Sequence, residues 1–197
     1  MLVFFFFKKI NKSVFELIPK TCHFSNVRTT IKTKEWDKIR MISYANANHK
    51  CEICKETGKE QGYRHDVECH EIWDYDDVNH IQKLVGLISL CVVCHKVKHF
   101  GMARAMGYES QCFNQLAKVN KWNQKQINEH IEASFEVYKE RSQFQWTLDL
   151  SILNEEPYNL NINTNKKRVF EVKKYKKKKR KTKPKKKTPN KRPPKKK

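Results

Sequence analysis

The stretch LCVVCHKVKH, residues 90–99, sets two cysteines three positions apart and then two histidines four positions apart. Its cysteine half occurs twice: CEIC at 51–54 matches CVVC at 91–94, with 36 residues between the pairs. A C-x-x-C turn presents two thiolates at the spacing that a tetrahedral zinc ion requires, and two such turns close a four-sulfur site. The spacing therefore predicts a structural Zn2+ on Cys51, Cys54, Cys91 and Cys94, with a redox or mixed-ligand site as the alternative. In a body this rich in polar residues, such an ion replaces part of an apolar core.

The chain has 197 residues, long enough for one compact domain, and its charge is divided unevenly. Residues 166–197 hold 20 Lys and Arg against one acid, Glu171, while residues 1–165 hold 22 basic and 20 acidic side chains; +19 of the net +21 thus belongs to the tail. From Tyr175 onward, YKKKKRKTKPKKKTPNKRPPKKK has no apolar anchor beyond the tyrosine, and its like charges repel. That composition predicts disorder. It also predicts a salt-sensitive, sequence-blind tether to a polyanion through Lys177, Lys178, Lys179, Arg180, Lys181, Lys185, Lys186 and Lys187. The alternatives are a solubilising extension or a nuclear import signal. At the other end, MLVFFFF is followed by Lys8, Lys9, Lys12, Lys20 and Arg28, with Glu16 the only acid before Glu35. A short, basic, acid-poor leader has the character of an organelle-targeting segment, which points to the mitochondrion or another organelle. An ordinary N-terminal extension, with the nucleus as destination, is the alternative. No run approaches the roughly 18 apolar residues that span a bilayer, so no membrane partner is expected.

The fold class expected is α+β, in four parts: a leader or extension at 1–32, a zinc-stapled core at 33–107, a helical extension ending in a short strand at 108–162, and the basic tail at 163–197. Thr33 is placed to cap a helix that runs to about Ala47 with Trp36, Ile39 and Ser43 on one face. Residues 51–73 read as a cysteine knuckle, a turn and two short antiparallel strands, with 74–79 as a polar loop. Residues 94–107 read as a helix ended by Gly107. In the extension, Asn123 caps a helix with Ile127, Ile131, Phe135 and Tyr138 on one stripe and Trp122 stapled to Ile127. QWTLDLSIL, 145–153, alternates as a strand, and Cys112 and His130 read as a buried free thiol and a surface histidine.

On a helix that starts at the second cysteine pair, His95 and His99 lie one turn apart and point the same way. Their counterpart must come from between the cysteine pairs, where HDVECHEIW, 65–73, concentrates His65, Asp66, Glu68, Cys69, His70 and Glu71. A metal-polarised phosphate beside a neutral imidazole that deprotonates water is a workable phosphodiesterase.

The segments WDKIR, CEIC, ECHEIW, CVVCH and KH, within residues 36–102, together resemble the HNH endonuclease family, which has a strand–strand–helix (ββα) metal fold beside a zinc knuckle. The resemblance implies DNA phosphodiester hydrolysis with a single metal. It places the general base at His70 and the second-metal ligands at Cys69, His95 and His99. The ion there would be Mg2+, Mn2+, Ni2+ or Zn2+, and a thiolate at Cys69 would favour zinc. Gly86 stands where the family carries the asparagine that orients the base, and Asn79 or His80 in the neighbouring loop is the expected substitute. Two functions follow: a nuclease acting on DNA, or a degenerate zinc protein binding RNA as a structural component of a ribonucleoprotein such as an organellar ribosome. A protein-binding zinc module is a third.

Overall fold

The computed structural model of the chain describes residues 13–162. The tail lysines expected to form a tether, and residues 1–12 of the leader, lie outside the described residues. Between them is an α+β fold of six α-helices and a three-stranded sheet. The helices are α1 (Val27–Thr30), α2 (Thr33–Asn46), α3 (Val92–Lys98), α4 (Phe100–Ala105), α5 (Glu109–Asn120) and α6 (Gln124–Arg141). The strands are β1 (Glu68–Asp76), β2 (Ile81–Leu90) and β3 (Thr147–Asp149). No helix among the described residues is long and apolar enough to cross a membrane.

A single hairpin replaces the two short strands expected before residue 74. β1 runs on to Asp76 and pairs antiparallel with β2, from Glu68 opposite Leu90 to Asp76 opposite Ile81, with a bulge at Ile72/Trp73. The turn is tighter than the loop expected at 74–79, because Asp76 Oδ1 accepts the N–H groups of Val78 (3.0 Å) and Asn79 (2.9 Å). Residues 55–66 stay irregular because the Gly58 amide closes onto Asp66 O at 2.6 Å. A Cβ on Gly58 would stand 2.3 Å from His65 O, so only glycine allows that approach. β3 adds to β2 in parallel and is shorter than the alternation suggested: Asp149 Oδ1 accepts the Ser151 amide at 2.8 Å and turns the chain into a 3₁₀ segment, Ser151–Asn154.

The helices follow their caps. Asn123 Oδ1 accepts the Gln126 amide and Gln126 Oε1 accepts the Asn123 amide, each at 3.0 Å, which starts α6 as expected. At α2, Lys32 rather than Thr33 is the cap residue, and Glu35 reaches back to the Lys32 amide at 2.8 Å. The helix expected over 94–107 is split at His99, whose φ of −94° and ψ of 42° interrupt it; Gly107, at φ +81°, ends the second piece.

Three apolar clusters tie together the segments that composition separated. Phe15 packs with Val97, Phe100, Cys112, Leu116 and Ile127; a second cluster surrounds the cysteines with Ile53, Ile88, Leu90 and Val93; a third joins Val27, Ile39, Leu84, Leu150 and Leu153. Residues 13–32 therefore pack into the body instead of trailing from it.

One half-buried acid, Glu71, makes that packing pH-sensitive. Burial pushes the Glu71 carboxyl up to about 7, against the backbone donors of Val27 and Arg28 that favour its ionised form. With a folded-state pKa above the ordinary 4.5, ionisation favours the unfolded chain, and this contribution to stability falls as pH rises from 4.5 through about 7. Glu71→Gln is expected to gain stability over the wild type by up to roughly 3 kcal/mol on going from pH 5 to pH 8, read by denaturant unfolding. A difference that stays constant across those pH values would show that Glu71 does not ionise in the fold.

Candidate metal centre

The two knuckles meet because each is tied to the end of the hairpin. The Glu52 amide donates to Ser89 O at 2.9 Å, and Glu52 Oε2 accepts the Ser89 amide at 2.6 Å. Cys91 follows β2 directly and caps α3. Within each turn, the amide of the second cysteine points at the sulfur of the first, Cys54 to Cys51 and Cys94 to Cys91, both at 3.5 Å. Gln61 and Gln115 add side-chain donors to Cys91 Sγ (3.3 Å) and Cys94 Sγ (3.1 Å). All four sulfurs lie within 4.8 Å of one another, and none of the seven cysteines is in a disulfide. A closed, sulfur-only, donor-lined set of this kind is compatible with a structural zinc ion.

α3 carries the same constraint on to the histidines. His95 lies on α3 and His99 caps its end, with the His99 amide donating to His95 O at 3.1 Å. Their Nε2 atoms converge to 3.1 Å. His70 on β1 meets them edge to face, its ring centroid 5.3 Å from that of His95 and 4.9 Å from that of His99. The three imidazoles offer ligand atoms within 4.8 Å of one another.

Carboxylates hold two of these rings. Glu68 accepts from His95 Nδ1 at 2.5 Å and from the more exposed His65 Nε2 at 2.9 Å. Glu16, from the segment before α1, lies 2.9 Å from His70 Nε2 and is also paired with the Lys98 ammonium. Burial alone would raise the Glu16 carboxyl, but the His70 hydrogen bond and the Lys98 charge outweigh it and hold it at about 2. Burial, only partly offset by Glu16, pushes His70 below the usual histidine range; burial and the neighbouring imidazoles take His99 down to about 3. Both rings are neutral at pH 7 and present lone pairs.

Three expectations need correction. Cys69 is not with the histidines: successive residues of a strand face opposite ways, so Glu68 and His70 point to the centre while Cys69 and Glu71 point away. The Cys69 thiol sits near Ser43 of α2, and burial pushes it up to about 12. Asn79 and His80 do not reach His70, because they lie in the hairpin turn more than six residues of extended strand away, roughly 20 Å; Asn79 bonds Asp76 and His80 stacks on Phe144 at 4.3 Å. His130 is half-buried and accepts the Phe15 amide at 3.0 Å. Glu16 escaped the sequence reading; its one signal was being the lone acid in a basic segment. No protein-family model, curated protein or solved structure matches the chain.

Cys69→Ser is accordingly expected to leave the number of metal ions taken up per chain, and their selectivity, as in the wild type. Loss of one ion, measured by elemental analysis of purified protein, would return that thiol to the centre.

Proposed function

We propose that the protein is a metal-dependent, HNH-type endonuclease that hydrolyses DNA phosphodiester bonds, with a structural zinc on the four cysteines and a second divalent ion on His95 and His99. The observation that carries this reading is the convergence of His95 and His99 Nε2, 3.1 Å apart, beside a neutral, carboxylate-held His70. Imidazole donors suit Zn2+ and Ni2+ and also admit Mn2+ or Mg2+ where phosphate and water complete the shell. When bound, such an ion would polarise the phosphate and stabilise the leaving oxygen.

The chain's own groups supply the rest. Glu68 fixes the orientation of His95 through Nδ1. Ionised Glu16 can only accept, so His70 Nε2 carries the proton and Nδ1 keeps the lone pair. That lone pair is the base: water gives its proton to His70 and attacks phosphorus, and the bond to the leaving strand's oxygen breaks. The 20 basic residues after Asn165 supply sequence-blind attraction to nucleic acid. The basic leader supports an organellar site of action.

His70→Ala is expected to slow nicking of supercoiled plasmid by about 10²–10⁴-fold while leaving metal uptake at His95 and His99 intact. A wild type that fails to nick with Mg2+, Mn2+, Ni2+ or Zn2+ would overturn the reading, and such a protein that still bound RNA would be the ribonucleoprotein component instead. Removing residues 166–197 is expected to weaken binding to DNA and RNA alike and to flatten its salt dependence, read by titration at two ionic strengths; equal affinity without the tail would eliminate the tether.

A further inference from the structure

A base that abstracts a proton needs its ring held in one orientation and one tautomer, and the resemblance put that duty on an asparagine whose place Gly86 occupies. Gly86 pairs with Ile72, and Ile88 pairs with His70, so Gly86 lies on the same face of the hairpin as His70 and brings no polar group to it. The only side-chain hydrogen bond to His70 among the described residues comes from Glu16, which lies 54 positions earlier in the chain. We infer that Glu16 is the positioning residue for His70, a carboxylate delivered by the N-terminal segment to orient the base from outside the metal-binding motif. This rests on the nuclease reading for its kinetic consequence, although not for its geometry.

The segment is built to deliver that carboxylate. Its backbone is pinned just ahead of Glu16: the Ser13 amide donates to Asn120 Oδ1 at 3.0 Å and the Phe15 amide to His130 Nε2 at 3.0 Å. The Glu16 amide itself donates to Lys98 O at 3.1 Å. The Phe15 ring stacks on Phe100 with centroids 4.0 Å apart, which locks the residue beside Glu16 into the apolar core. Lys98 then holds the carboxylate a second time through its ammonium, with a side chain only 7% exposed. One oxygen is thereby committed to Lys98 and the other to His70, so the carboxylate has no free rotation left. His70, 4% exposed, holds its Nε2 on that carboxylate at 2.9 Å.

The test uses the full chain with Glu16→Ala, Glu16→Gln and Lys98→Met, and two readouts. In the imidazole ¹⁵N spectrum, wild-type His70 is expected as a single Nε2–H tautomer, Glu16→Ala as a mixture, and Glu16→Gln as largely Nε2–H because the amide oxygen can still accept. In plasmid nicking, Glu16→Ala is expected to lower kcat by about 10–100-fold with KM within about 2-fold, Glu16→Gln to recover part of it, and Lys98→Met to fall between. If Glu16→Ala does not fold, the Gln and Met variants carry the comparison. An active wild type whose tautomer and kcat are untouched by these changes would overturn the inference while sparing the nuclease; so would an equal loss in Ala and Gln with the tautomer unchanged. A wild type that never nicks, but whose tautomer depends on Glu16, would sink the nuclease reading and leave the positioning intact.

Discussion

Four thiols gathered at one point set the placement of the histidine cluster beside them. The pairs are separated by 36 residues, and those residues contain the whole hairpin, so closing the thiol set draws both ends of the hairpin to the start of α3. By analogy with a covalent cross-link, a loop of that length stabilises the closed form by about 4 kcal/mol through the entropy it removes from the unfolded chain. The apolar residues gathered around the sulfurs, Ile53, Ile88, Leu90 and Val93, make the same connection by packing. Because Cys91 and Cys94 open the helix that carries His95, fixing the sulfurs also fixes the histidines.

The histidine centre depends on a second kind of constraint, the satisfaction of buried polar groups. Lys98 and His70 are almost fully enclosed, and an unpaired ammonium in such a place costs about 3–5 kcal/mol. Glu16 answers both, which is why a segment that composition marks as a leader is folded against the core from residue 13 onward. Structure and chemistry share the residue: the carboxylate that satisfies Lys98 is the one that orients His70.

How much of this could be read beforehand varied with the range of the interaction. The cysteine set was legible because two turns of fixed local geometry repeat, and the stripe of α6 because Ile127, Ile131 and Phe135 follow the helical period. His95 and His99 were legible for the same reason. Cys69 was misplaced because adjacency in a motif was weighed above the strand's period of two, which sends Cys69 and His70 to opposite faces. The hairpin's extent was hidden by DYD at 74–76, polar residues that the turn chemistry of Asp76 nevertheless holds in register. Glu16 was out of reach of any local pattern, since its contacts with His70 and Lys98 span 54 and 82 positions.

The separateness of the two centres underlies all of this, and X-ray absorption at the zinc edge addresses it directly. In the full chain loaded with one equivalent of zinc, the expected first shell is four sulfurs at about 2.3 Å with no nitrogen. A shell mixing sulfur with imidazole nitrogen would mean that cysteines and histidines share one ion, and that the histidines are not free for chemistry.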